Sequence, residues 1–452
     1  MRPLPPLAGK LAVLFLALLG AASSCAYWSL YTDAVHAALA SSSGLKPKAL
    51  TDLYPSWYAS RALLLDHRDP YSVAVNHELQ IAFYGKVLDP SRPEERRDQQ
   101  RFAYPVYFIF FVAPLAPMQF HNAAILFRVV LVVCAILSMT FWMRFVRLRL
   151  SPLALTSLLA LTITSVSILQ NLSLLQPFLL PTCFIAAAAA AMSSGNLFIA
   201  GMLLAMATVK PQICLPLLVW CACWAASDWR RRRTLFLGFS ITLIVLLLVS
   251  AWLLPAWWQE YPGVLRAYAE YTKATSFLGT LLQSPLSWIV SSLVLFIVAE
   301  YCWRVRREPA NSPAFTIALA FVLTLTVAII PAVVQPYNHF LLFPTVLLTV
   351  RYWGELMQRS RVTQAATFVF CGCASLPWLL SIVAVANPFN PHRDWLLKMW
   401  SIPLAASMAF PFACFGMLIL LQKVATPQTG SAPTRRASPS QSSGLTVVKE
   451  QA

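Results

Sequence analysis

Asp52 opens a segment, Thr51 to Leu65, in which Leu53, Trp57 and Leu64 recur with Tyr54, Tyr58 and Leu65 at helical spacing. A carboxylate at that place has two uses. As an N-cap it would satisfy free backbone N–H groups and the helix dipole; as a general base at the water–lipid boundary it would take a proton from a hydroxyl. Lys210, in Thr208-Val209-Lys210-Pro211-Gln212, falls at the junction of two short apolar runs. A lysine beside a helix N-terminus combines a point charge with free backbone donors, which suits a phosphate, although an interfacial loop lysine looks the same in sequence.

Further polar groups stand at similar places. Arg128 lies roughly two helical turns inside the apolar run that begins at Asn122. A charge at mid-bilayer costs roughly 3 kcal/mol, so Arg128 either faces the interior and pairs with an anion or snorkels to the outer surface. His339 follows Gln335-Pro336-Tyr337-Asn338 at the mouth of another short run, and a lone histidine serves structure as readily as chemistry. Gln170, Asn171 and Gln176 sit at an outer helix junction, where they hydrogen-bond a sugar or bridge helices. Asp66-His67-Arg68-Asp69-Pro70-Tyr71 reads as a turn, and Phe102-Ala103-Tyr104-Pro105 returns the chain to the bilayer at aromatic depth.

The elements that position these groups are membrane spans. Of the 452 residues 58% are hydrophobic and 11% charged, against the roughly 25% charged of a soluble domain. Apolar stretches long enough to cross recur from Leu11 to Leu421 without the alternation of barrel strands. An all-α polytopic bundle of about twelve crossings follows. Candidate spans are 11–31, 122–143, 152–170, 174–192, 197–209, 212–226, 235–255, 285–303, 313–335, 338–351, 362–385 and 402–422. Of these, 197–209, 212–226 and 338–351 are short, about 20 Å of helix, so a cavity is expected near Lys210 and His339. The proline-broken stretch Tyr104 to Met118 is expected to re-enter or lie at the interface on the outer side.

Charge sets the orientation. The net charge of +17 comes from clusters between apolar runs, without the aromatic-basic groove of a nucleic-acid binder. Arg144, Arg147 and Arg149, then Arg230 to Arg233, then Arg304, Arg306 and Arg307, then Arg351, Arg359 and Arg361 share their loops with only Asp228, Glu308 and Glu355. The positive-inside rule places those loops in the cytoplasm, with both termini. By contrast the loop Thr32 to Arg101 balances nine acids with nine Lys or Arg and belongs outside. The first segment has a basic start and a small-residue patch, Ala21-Ala22-Ser23-Ser24-Cys25; apolar character continues through Trp28, so an uncleaved anchor is preferred to a signal peptide. Residues 1–423 form the membrane domain and 424–452, rich in Ser, Thr, Pro and Gln, a disordered cytoplasmic tail. The ten cysteines avoid the outer loop, and Cys221 with Cys223 and Cys371 with Cys373 lack His or acidic neighbours, so neither a disulfide framework in that loop nor a metal site at those pairs is expected.

Taken in order, Asp52-Leu53-Tyr54, Trp57-Tyr58-Ala59, Leu63-Leu64, Asp69-Pro70-Tyr71, Tyr104-Pro105, Pro114-Leu115-Ala116, Gln176-Pro177, Gly201, Lys210-Pro211, Pro336-Tyr337-Asn338-His339 and Pro344 resemble the polyprenol-phosphate-mannose-dependent glycosyltransferases, family 87 of the GT-C superfamily. The resemblance spans about residues 50 to 350. It implies a GT-C fold in the bacterial plasma membrane, an extracytoplasmic active site, and a hexose, mannose, moved with inversion from a polyprenyl-phosphate donor to a lipid or glycan acceptor. It makes Asp52 the base and places Lys210 and His339 near the donor phosphate, His339 as a second catalytic residue, with Asp69, Tyr71, Tyr104, Gln176, Tyr337 and Asn338 as substrate contacts; Arg128, by its charge alone, is a further candidate for the leaving phosphate. No cofactor, metal ligand set or nucleic-acid partner is implied. Leu175 stands where the family often has Gly, and Asn338 where it often has Asp. The rival class is a transporter or flippase, which usually carries acids at mid-span; here Glu300 lies near a cytoplasmic end and the acids gather in the outer loop.

Overall fold

The structure is a computed structural model that describes residues 6–43, 51–89, 91, 92, 95, 99–272, 275–331, 333, 335–387 and 393–425. The tail expected to be disordered lies, beyond residue 425, outside the described residues. Helices α1 (Pro6–Ser43), α2 (Leu53–Leu64) and α3 (Val73–Tyr84) precede a broken stretch, 106–115, in which two 3-10 turns flank α4 (Ile109–Val112). Next come α5 (Phe120–Phe145), α6 (Pro152–Ile163), α7 (Val166–Leu174), α8 (Leu179–Ser193), α9 (Leu197–Ala207), α10 (Pro211–Ala226) and α11 (Trp229–Leu253). Then α12 (Trp257–Thr272) and α13 (Phe277–Leu281) lead to α14 (Leu286–Val305) and α15 (Pro313–Ile329). A 3-10 segment, Pro336–Leu342, runs into α16 (Phe343–Arg351), followed by α17 (Trp353–Met357), α18 (Arg361–Ala386), α19 (Arg393–Ser407) and α20 (Phe410–Ala425).

Every regular element among the described residues is helical, as lipid requires of a chain that must satisfy its own backbone. Among the described residues six segments are long and apolar enough to cross, against the twelve crossings expected: Gly9–Thr32, Phe120–Phe145, Trp229–Leu253, Leu286–Val305, Arg361–Ala386 and Asp394–Val424. Their outer faces are mainly hydrocarbon. On α11, for example, Leu237, Ile241, Ile244, Val245 and Leu248 are exposed. At the centre α15 buries every side chain from Phe315 to Val327, which is why its sequence is apolar all round.

Where one straight crossing was expected at 152–170, α6 and α7 meet at a 49° bend. The cause is local. Ser165 caps α7, its Oγ accepting from Ile168 N at 3.3 Å, and Ser24 of α1 donates to Thr164 O at 2.7 Å. A break at membrane depth survives because its freed backbone groups find such partners. The short helices expected at 197–209 and 212–226 appear as α9 and α10, and the one at 338–351 divides into the 3-10 segment and α16.

Two devices lock the short helices. Gly201 of α9 and Gly238 of α11 meet so closely that a Cβ on either would overlap backbone of the other helix, the small-residue packing by which membrane helices associate. At the far end of α10, Arg232 donates to the carbonyls of Trp224 (2.6 Å), Arg306 (2.8 Å), Arg307 (3.0 Å) and Glu308 (3.0 Å). Its guanidinium fork thus ties α10 and α11 to the α14–α15 turn. On the other side of the molecule α2 docks on the broken stretch through Trp57 Nε1 to Leu115 O (3.1 Å) and Arg61 Nη1 to Ala116 O (2.7 Å).

Candidate active site

Asp52 occupies the N-cap position of α2 with φ −62° and ψ −13° and makes no side-chain capping hydrogen bond. An N-cap ordinarily has extended backbone; the helical angles here leave the carboxylate free of that duty. It accepts instead from Gln176 Nε2. The Asp52 backbone N–H donates to Leu174 O at 2.9 Å, so main chain and side chain both grip the α7–α8 elbow.

That elbow has a specific origin. Leu175, fully buried, has φ +52° and ψ +44° in the left-handed region, and the next residues, Gln176-Pro177, cannot extend the α7 ladder because proline lacks the N–H. The reversal turns the Gln176 side chain towards α2. Ser167 Oγ (3.0 Å) and Asn171 Nδ2 (2.9 Å) of α7 meanwhile donate to Tyr337 O, which fixes the 3-10 segment beside the same elbow.

Lys210 forms the α9–α10 junction and is 6% exposed. Its ammonium lies 5.2 Å from the centre of the Phe178 ring and 5.4 Å from that of Tyr337, within the reach of cation–π attraction. Burial pulls its pKa down to about 8, and the Asp52 carboxylate works against that fall. The junction is braced by Tyr107, whose hydroxyl donates to Thr208 O at 3.1 Å.

Asp52, Gln176, Lys210, Tyr104 and Tyr337 line one polar cavity of about 120 Å³, together with Gln100, Arg101 and Tyr268. Burial holds the Tyr104 phenol well above its ordinary range, and Tyr268, Tyr337 and Asp52 add to the shift, so Tyr104 stays a neutral hydroxyl. Asp69 and Tyr71 stand behind it: Asp69 Oδ1 accepts from Tyr71 N at 2.8 Å, and Tyr71 OH donates to Tyr104 O at 2.6 Å. Arg101 and Tyr268 were not singled out in the sequence. Arg101 directly precedes Phe102-Ala103-Tyr104, and Tyr268 lies in α12, in a loop whose aromatic content reads as an interfacial belt.

The remaining candidates lie elsewhere. Arg128 is exposed on α5 and donates from Nε to Leu172 O at 3.3 Å. It faces outward because Phe127 and Leu131 form the buried face of that helix. His339 lines a second, apolar cavity of about 540 Å³ with Pro336, Phe340, Gly20, Leu161 and Trp378. Neither ring nitrogen has a hydrogen-bond partner among the described residues, and neither polar atom of fully buried Asn338 has one. The 3-10 segment therefore serves both cavities, Tyr337 in the polar one and His339 in the apolar one. Among the described residues no group of three or more His, Cys, Asp or Glu converges.

A bundle of this kind, with a buried lysine and an uncapped carboxylate in one polar cavity, fits a membrane-embedded transferase. The model of glycosyltransferase family 87 matches residues 102–331, just over half of the 452-residue chain, and the chain belongs to that family. The matched stretch contains Tyr104, Gln176 and Lys210, while Asp52, Tyr337 and His339 lie outside it. No curated protein and no solved structure matches the chain.

Proposed function

We propose that this glycosyltransferase moves a hexose, mannose, from a polyprenyl-phosphate donor to a hydroxyl of a lipid or glycan acceptor, with inversion, at the extracytoplasmic face of the plasma membrane. Asp52 is the general base. It takes the acceptor proton as the hydroxyl oxygen bonds to the anomeric carbon, and the bond from that carbon to the phosphate oxygen breaks, its electron pair leaving on the polyprenyl phosphate. Lys210 and Arg101 hold the phosphate as its charge grows, and Tyr104 and Tyr337 flank the sugar. The observation that carries this reading is that Asp52 and Lys210 line the same polar cavity.

Two further observations support the finer parts. The apolar cavity beside the 3-10 segment is of a size and lining that suit a hydrocarbon chain, with His339 on its wall. Lys210 begins α10, whereas Arg230 to Arg233 follow its end, a charge distribution that by the positive-inside rule supports an extracytoplasmic cavity. The test is purified protein in liposomes with labelled polyprenyl-phosphate mannose and a membrane lipid extract. A new labelled glycolipid or glycan is expected; passage of the intact donor across the bilayer with no new product would overturn the assignment.

A further inference from the structure

Three observations meet at the α7–α8 elbow. Asp52 sits at a helix start without capping it, and its carboxylate is held by the Gln176 amide. The Asp52 N–H is tied to Leu174 O at 2.9 Å. Between these two anchor points stands Leu175, a non-glycine residue with φ +52° and no exposure. A left-handed conformation is disfavoured for any residue with a Cβ and persists only where its surroundings enforce it. What the conformation achieves is to aim the Leu174 carbonyl and the Gln176 side chain at the same residue of α2.

The orientation of the amide follows from charge. A carboxylate oxygen accepts, so the NH2 end of Gln176 faces Asp52, and Gln176 Oε1 is left without a hydrogen-bond partner among the described residues. A donor committed to one oxygen both selects a rotamer and favours the ionised carboxylate over the acid. The other groups that face Asp52 across the cavity are Lys210 from the α9–α10 junction, Arg101 and Tyr104 from the stretch before the 3-10 turn, Tyr268 from α12 and Tyr337 from the 3-10 segment. Lys210 and Arg101 stabilise the ionised carboxylate through space, and Gln176 does so through a directed hydrogen bond.

We propose that Gln176 is the positioning residue of Asp52, and that its amide keeps the carboxylate ionised and turned into the cavity, so that the side chain at 176 sets the pH at which transfer begins. This inference rests on the reading of Asp52 as the base. The mechanism is indirect: Gln176 forms no bond to the reacting atoms and changes the rate through the state of Asp52.

The experiment is the pH dependence of kcat/KM with labelled polyprenyl-phosphate mannose for the wild type, Gln176→Met and Gln176→Glu. Methionine keeps the shape and removes the donor. The acid limb is expected to move up by about one pH unit, the size of a hydrogen bond to a charged group. Glutamate sets a second carboxylate against the first, and two such groups share one proton, so its limb should move further than that of Gln176→Met. Should Gln176→Met fail to fold, the shift in Gln176→Glu decides alone. An unmoved limb in the folded variants overturns the proposal, as does complete loss of transfer in both while donor is still bound, because a positioning residue leaves the base in place. Retained transfer in Asp52→Asn would instead defeat the underlying assignment of the base.

Discussion

Lys210 holds its ammonium 5.4 Å from the centre of the Tyr337 ring, with the Phe178 ring at 5.2 Å. The two aromatic faces keep a nearly buried cation in place without consuming its donors, which therefore remain for an anion that enters the cavity.

Lys210 should set the alkaline side of activity. Its folded-state value of about 8 is depressed from 10.5 mainly by burial, so the charge is present below pH 8 and lost as pH rises through it. The kcat/KM profile should fall above about pH 8, since kcat/KM reports the free enzyme. Lys210→Arg should abolish that fall because guanidinium does not titrate there. Lys210→Met should lower kcat/KM by about 10² to 10³, the usual weight of one donor at a developing anion. Initial rates between about pH 5 and 10, a span that brackets the lysine value, check each outcome.

The apolar cavity should discriminate chain length. Gly20 of α1 lines it, and a Cβ there would stand in ordinary contact, 3.6 Å from Trp378 Cβ. Gly20→Leu should therefore seat its first carbon without a clash and send the rest of its side chain into the cavity, displacing about two methylene groups of a bound chain. KM for long-chain donors should rise about tenfold and that for a short-chain donor should not change. Equal effects on both would detach the cavity from the lipid.

The α9–α11 contact makes a stability prediction. A side chain at Gly201 would meet Leu235 and Phe239 backbone directly, so the helices must separate. Gly201→Val should destabilise by about 1–3 kcal/mol, read as a lower midpoint of thermal unfolding in detergent. Gly372→Ala, which meets nothing within 4 Å in the interior of α18, is the control and should not lower the midpoint, since alanine is the better helix former.

At the other end of α10, Arg232→Ala removes the charged donor that the carbonyls of Trp224, Arg306, Arg307 and Glu308 share, and only neutral donors from Ser227 and Trp224 remain to three of them. The expected cost is about 2–3 kcal/mol. Arg232→Lys should recover only part of the loss in the same melt, because a point charge cannot reproduce the fork.

Much of this architecture was legible in the residues, and the exceptions have physical causes. Apolar runs announced the helices, although of the twelve expected crossings only six, or seven with the bent pair, are long and apolar enough to cross among the described residues; the shortness of 197–209 and 212–226 announced the cavity at Lys210, since helix length is read directly from sequence. Ser165 before an apolar run is an N-cap signal, and it marks the bend that the hydropathy of 152–170 conceals. Which way Arg128 faces depends on where α5 packs, a tertiary fact. His339 and Tyr337 differ by two positions in a helix of three residues per turn, so adjacent cavities receive them although the motif reads as one unit. Leu175 gives no sign in sequence of a left-handed residue, and with it the contact between Gln176 and Asp52 stayed hidden.

The central claim is that Asp52 removes the acceptor proton. It is tested most directly by Asp52→Asn, assayed with labelled polyprenyl-phosphate mannose and acceptor in a preparation whose folding and donor binding equal those of the wild type. The amide can hold the same place and cannot take the proton, so transfer should vanish while donor binding persists. Transfer at the wild-type rate in Asp52→Asn would contradict the account.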